Sequence, residues 1–159
     1  MSGDASSETP RFEPRDPGYE ARVRASFEKQ QFMTTLGASL AVLRPGFVRI
    51  DLPYDVRLTQ QHGFLHAGAI ASVLDSAAGY AALSLAAPGT GVLSVDFQVH
   101  LLSPARGRQF HAIARAIRSG RNLTICRAEC RADDPEAGKL VSMLTATMMH
   151  IEDRAGITD

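Results

Sequence analysis

The stretch Gln60-Gln61-His62-Gly63-Phe64-Leu65-His66-Ala67-Gly68 runs into Ala69–Ala87, a long run of small residues with a single charge inside it, Asp75. A polar, glycine-containing loop thus opens a helix, and one carboxylate sits nine positions after His66. A charge in the middle of an apolar helix is costly unless it is paired or used. Asp75 is therefore the first candidate functional residue. Its competing reading is a buried carboxylate paired with an arginine or with backbone.

On either side of this helix the pattern is mostly strand. Gly18 to Gly37 has a helical period through Val23 and Phe27, with Arg22, Arg24, Glu28 and Lys29 outside, and Gly37 is placed to end it. Ala38–Val42, a turn at Arg44-Pro45-Gly46, and Phe47–Leu52 read as a hairpin. After the helix, which is expected to end by Pro88-Gly89, Leu93, Val95, Phe97, Val99 and Leu101 alternate with Ser94, Asp96, Gln98 and His100. Strict alternation predicts a strand with the first set on one face and Ser94 on the other. Gln109–Arg118, Leu123–Ala132 and Leu140–Glu152 follow, separated by short turns, which predicts an antiparallel meander of the last four strands. The long helix has only that sheet to bury itself against, so the class is α+β, with about six strands around one central helix. Residues 1–17 and 153–159 read as tails, the first disordered, flanking one domain over 18–152. Small residues at Ala67–Ala71 and Ala77–Ala82 let a curved sheet approach the helix axis, the geometry of the hotdog fold.

Composition removes several function classes. The chain has 159 residues, enough for one domain with a real core. Lys+Arg and Asp+Glu both number 17, so no net field draws it to nucleic acid or an anionic membrane. Trp is absent and aromatics are 6%, which argues against a base-stacking platform. No helix-turn-helix precedes the core. The Ala67–Ala87 run is long enough to span a bilayer, but it is weakly hydrophobic and holds Asp75, so a buried helix is the expectation. No signal peptide is apparent. Cys126 and Cys130 lie four apart on one strand, roughly 13 Å from each other, too far for a disulfide. They read as small apolar fillers in a reducing, cytoplasmic setting. His62, His100, His111 and His150 have no partners at ligand spacing, so no metal is expected.

Four blocks in order carry a resemblance: Gln60-(x)5-His66-Ala67-Gly68-(x)6-Asp75, then Gly91–Phe97, then Leu102-Ser103-Pro104-Ala105, then Ser119-Gly120-Arg121-Asn122. Over roughly residues 20–152 the chain resembles the hotdog acyl-CoA thioesterases, in their phenylacetate-degradation (PaaI-type) branch. The resemblance implies hydrolysis of an acyl-CoA to a carboxylic acid and free coenzyme A. It implies that coenzyme A enters only as part of the substrate, with no other cofactor. It implies a homodimer, with a homotetramer of two dimers in view, and an active site in which the helix N-terminus of one subunit faces the carboxylate of the other. The family typically has His-Gly-Gly where this chain has His66-Ala67-Gly68; the group used there is a backbone N–H, which alanine also supplies, unless the position needs a positive φ angle.

The chemistry attaches to these residues as follows. Asp75 serves as nucleophile or as general base for water. The Ala67 N–H, at the positive end of a helix, is suited to hold a thioester carbonyl. Gln60 has an amide to orient water or thioester. Ser94 reads from pattern alone as outward-facing, whereas the resemblance has it hydrogen-bond the water or the acid. His66 and Gly68 position substrate. Arg106 lies in a turn where it could meet phosphate, and Gly120, Arg121 and Asn122 form another such turn, with Gly120 allowing close backbone approach. Phe64, Leu65, Tyr80, Leu83, Leu93 and Phe97 are candidates for the acyl pocket. Two rival readings stay open at this point. One is a hotdog hydratase or dehydratase, which pairs a histidine with a carboxylate. The other is a non-catalytic acyl-CoA sensor.

Overall fold

In the computed structural model the described residues are 11–152 and Gly156. They form α1 (Tyr19–Lys29), α2 (Gln31–Leu36), β1 (Ser39–Arg44), β2 (Phe47–Pro53), α3 (Ala67–Leu83), β3 (Gly91–Leu101), β4 (Gln109–Ser119), β5 (Leu123–Ala132) and β6 (Lys139–Ile151). A single 3-10 turn over Val56–Leu58 lies in the loop before α3. The six strands make one antiparallel sheet in the order β1-β2-β4-β5-β6-β3.

The sheet curls around α3, which touches β2, β3, β4, β5 and β6. Ala77, Ala78, Ala81 and Ala82 are fully buried against it, and Ile70, Val73, Leu74 and Leu83 fill the wider spaces. From the sheet come Val48, Ile50 and Leu52 of β2, Phe110 and the alanines of β4, Cys126 and Cys130 of β5, and Leu144 and Met148 of β6. The helix is thus apolar on most of its circumference, as a helix enclosed by a sheet must be. Irregular residues in four of the five strand pairings bend the sheet into this curve.

Four expectations change in the structure. The helix expected from Gly18 to Gly37 is two helices. Gln30, at φ −80° and ψ 88°, breaks it and turns Met33 and Leu36 of α2 into the core; Gly37, at φ 70°, then ends α2. The central helix stops at Leu83 rather than near Ala87. The reason lies far away in sequence: the Arg22 guanidinium donates to the carbonyls of Leu83, Ala86 and Ala87 at 3.2, 2.9 and 2.7 Å. Leu83 O also accepts from Ala86 N–H at 3.0 Å and Ala87 O from Thr90 N–H at 3.2 Å, so Arg22 fastens a chain reversal that the backbone itself closes.

The meander covers β4, β5 and β6 only. β3 does not pair with β4; it crosses to the far edge and pairs with β6. The alternation along β3 is also broken. Ser94 pairs with Met148 and Asp96 with Thr147, so Val95 is an extra residue, a β-bulge. Residues before the bulge are switched relative to those after it. Ser94 therefore shares the helix-facing side with Phe97 and Val99, and Leu93 lies on the outer side.

Most of the two expected tails, residues 1–10, 153–155 and 157–159, lies outside the described residues. The stretch 11–17 has no helix or strand, yet it is tied down. Phe12 packs against the core, Arg15 donates to the Gly120 carbonyl at 2.9 Å, and Asp16 pairs with Arg22 at 3.2 Å.

Candidate active site

The loop before α3 is closed by its own backbone. Gln60 N–H donates to Phe64 O at 2.9 Å, and Gly63 N–H to Gln60 O at 3.0 Å, with Gly63 at φ 79°. The Gln60 side-chain oxygen accepts from the His62 N–H. His66 N–H donates to Leu58 O at 2.8 Å, which anchors the residue that starts the helix.

His66 is the N-cap of α3. Its Nδ1 accepts from Gly68 N–H at 2.9 Å. Ala69 N–H and Ile70 N–H both reach the His66 carbonyl, at 3.0 and 3.4 Å. Of the first four amides of the helix, that leaves Ala67 N–H without a partner among the described residues. The cap thus selects which donor stays open. Gly68 is part of that selection, because a Cβ there would come 3.0 Å from His66 Nδ1 and push the ring away. Ala67 has no positive φ; among the described residues Asp133 alone does so without being glycine. Alanine therefore fits the position without strain.

Asp75 lies two turns further along α3, partly buried. Ser94 Oγ donates to Asp75 Oδ1 at 2.7 Å. The bulge at Val95 makes this contact, since regular alternation would have turned Ser94 outward. Beside the pair is a cavity of about 460 Å³, lined by Ser76, Gly79, Tyr80 and Leu83 of α3, by Val92 and Leu93 of β3, and by Ser26, Lys29 and Gln30 from the end of α1. Nothing lies within 4 Å of where a Gly79 Cβ would be, so glycine keeps this wall open. Gln60 and Ala67 open instead on a second cavity of about 450 Å³, with Phe64, Leu65, Ile70, Leu101 and Pro104. Eight residues of helix rise separate Ala67 from Asp75 by about 12 Å. One thioester carbonyl cannot meet both groups of the same chain.

Of the acyl-pocket candidates, Tyr80, Leu83 and Leu93 line the first cavity and Phe64 and Leu65 the second; Phe97 lines neither. The Arg106 guanidinium lies 4.5 Å from the Phe64 ring centroid, at the rim of the second cavity. Gly120, Arg121 and Asn122 form the β4–β5 turn and line neither cavity. There Gly120 N–H donates to Leu123 O and His150 N–H to Asn122 O, each at 2.8 Å. The chain's histidines are dispersed. His62 and His100 are exposed, His111 pairs with Asp51 at 2.7 Å, and His150 meets Thr124 Oγ1 at 2.9 Å. Among the described residues no three His, Cys, Asp or Glu side chains gather as a metal site. Sequence reading did not find Ser26, Lys29, Gln30, Ser76 or Gly79. The signal for Gly79 was its place four residues after Asp75 on the same helix face.

The family model described as the thioesterase superfamily matches residues 62–139, which hold the loop from His62 on, α3, Asp75 and Ser94. A thioesterase family protein from Silicibacter pomeroyi, known as a crystal structure, is 46% identical; the match covers 85% of this chain and 99% of that one, with a TM-score of 0.82. The chain belongs to the thioesterase superfamily. The thioesterase also shares its fold with the PaaI protein of the E. coli phenylacetic acid degradation operon, at 19% identity over 84% of this chain and 93% of that one, with a TM-score of 0.76. A Halobacterium salinarum protein provisionally named an esterase is 30% identical over 110 residues, 66% of this chain and 72% of that one. The thioesterase has the hotdog architecture expected from its sequence: a six-stranded antiparallel sheet around one long helix. It is a thioester hydrolase.

Proposed function

We propose that the protein hydrolyses an acyl- or aryl-CoA thioester to a carboxylic acid and free coenzyme A, at a site shared by two copies of the chain. The observation that carries this is the Asp75–Ser94 pair, 2.7 Å apart, opening on a cavity of about 460 Å³. The Ala67 N–H of one copy polarises the thioester carbonyl, and Gln60 orients the reactants. Asp75 of the other copy takes a proton from water, whose oxygen attacks the carbonyl carbon; the C–S bond breaks and the proton returns to the departing thiolate. Asp75 attacking the carbonyl directly is the variant of this step that the same geometry supports. Ser94 holds the carboxylate in line. His66 and Gly68 set the donor, as their cap geometry suggests.

A second copy is supported by the edge strand β3. Its outer edge has no partner among the described residues, and Leu93, Val95, Phe97 and Leu101 are each 45–60% exposed. Such an edge is a hazard unless it is covered. Pairing β3 with β3 of another copy brings two α3 helices side by side, and a tetramer of two such dimers follows the same logic. Arg106 and the turn Gly120-Arg121-Asn122 are the proposed contacts to coenzyme A, which is substrate and not a resident cofactor. Two free buried thiols, Cys126 and Cys130, suit the cytoplasm. No helix is long and apolar enough to cross a membrane among the described residues. Hydration of an enoyl-CoA, assayed beside thiol release, separates this reading from the hydratase or dehydratase.

The test is thiol release from phenylacetyl-, hydroxybenzoyl- and straight-chain acyl-CoAs by wild type and Asp75→Asn. Turnover of at least one substrate, reduced by about 10²–10⁴-fold in the variant with the dimer intact, is the expected result. Binding without turnover across the panel would replace this reading with the sensor.

A further inference from the structure

At the end of the molecule where α3 stops, a cleft of about 470 Å³ lies over the β1–β2 turn, and its lining includes Arg11, Phe12, Arg44, Phe47 and Arg115. Three arginines share it, and among the described residues no carboxylate lines it. None of the three makes an ion pair among the described residues, whereas Arg22, Arg24, Arg49, Arg57, Arg127 and Arg131 all do.

The arrangement is built by the sheet. Phe47 of β2 pairs with Arg44 of β1 on one side and Arg115 of β4 on the other. The two guanidinium carbons sit 5.2 and 4.5 Å from the centroid of the one Phe47 ring. Cation–π attraction holds them there and offsets part of their mutual repulsion. The floor is Gly46, at φ 70°, where a Cβ would come within 2.8 Å of the Phe12 ring and 3.3 Å of Ala116 and Leu85. Gly46 thus lets Phe12 pack down, and Phe12 carries its neighbour Arg11 to the rim.

Solvated arginines on a turn are common; three of them in one concave space, two held against one ring and with no acid among the described lining residues, are a different object. Guanidinium groups bind phosphate through paired N–H donors and stay charged at all working pH values. We propose that this cleft binds the phosphate groups of a nucleotide. The cleft shares no residue with either cavity of the candidate active site. A diphosphate could come from a free nucleotide or from the nucleotide end of a coenzyme A thioester.

The experiment is calorimetric titration of the full-length protein with inorganic pyrophosphate and with ADP at low ionic strength. Four proteins are compared: wild type, Arg44→Gln/Arg115→Gln, Phe47→Leu, and the control Arg24→Gln/Arg57→Gln, which loses the same charge elsewhere. Binding of both probes by wild type and control, weakened more than tenfold in the Arg44/Arg115 variant and measurably in Phe47→Leu, is the expected result. No binding by wild type, or equal weakening in the control, overturns the proposal. KM for an acyl-CoA against the matching acyl-pantetheine then separates the two sources. A rise in the Arg44/Arg115 variant for the CoA ester alone assigns the cleft to the substrate's own nucleotide, and no change for either assigns it to a free nucleotide. Pyrophosphate binding is read without turnover, so a failed thioesterase assay leaves this result standing.

Discussion

At the scale of single residues, the proposed site turns on one amide. His66 caps Gly68, its carbonyl takes Ala69 and Ile70, and Ala67 N–H is left open. A backbone donor cannot be removed by changing a side chain, with one exception. Ala67 is the first residue of α3, the position where proline is most at home in a helix. His66, at φ −63° and ψ 138°, already has the extended conformation that a following proline demands. Ala67→Pro therefore deletes the N–H and little else. The expected outcome is a fall in kcat of about 10²–10³-fold, the usual effect of losing one oxyanion donor. The melting temperature stays close to wild type. Thiol-release kinetics beside a thermal melt check both halves, and full activity in a well-folded variant would remove Ala67 from the chemistry.

At the scale of elements, the parts that follow from local pattern were legible in the sequence, and the parts set by distant contacts were not. The small residues of α3, with Asp75 among them, announce an enclosed helix carrying a carboxylate, and the strands β4 to β6 follow from their turns. The end of α3 depends on Arg22, more than sixty residues earlier, and no helical period encodes it. The crossing of β3 to the far edge is a matter of pairing, which alternation cannot report. The bulge at Val95 hid the meeting of Ser94 with Asp75 from the alternation, and the resemblance alone carried it, because one extra residue reverses every face before it. Near the end of β6, His150 gives the element a pH dependence. Burial holds its imidazole below the ordinary value of 6.5, and the Arg15 charge nearby adds to this. The unfolded chain therefore takes up a proton at a higher pH than the folded one does. Stability from this residue is complete above pH 6.5 and is lost as pH falls through the folded value. His150→Gln is expected to flatten the fall in melting temperature between about pH 7.5 and 5. Melts across that range check it, and an unchanged slope would assign the acid sensitivity to other groups.

At the scale of the whole molecule, the two halves of the candidate site cannot meet within one chain. Ala67 and Gln60 face one cavity, Asp75 and Ser94 another, and the helix between them keeps Ala67 and Asp75 about 12 Å apart. In the proposed symmetric dimer through β3, the donor of each chain stands against the acid of the other. This makes a prediction that no single-chain site can imitate. Ala67→Pro and Asp75→Asn are each expected to be nearly inactive as homodimers. If the subunits of the two variants are mixed and allowed to exchange, each heterodimer has one site with both defects and one with neither. At equal amounts, half of the dimers are mixed and each has one of two sites intact. Activity then returns to about a quarter of the wild-type rate, following from the two-fold symmetry alone. In a site built from one chain, every site in the mixture would keep one defect and no activity would return. Thiol release from the exchanged mixture, set against the two variants assayed separately, decides between the two arrangements.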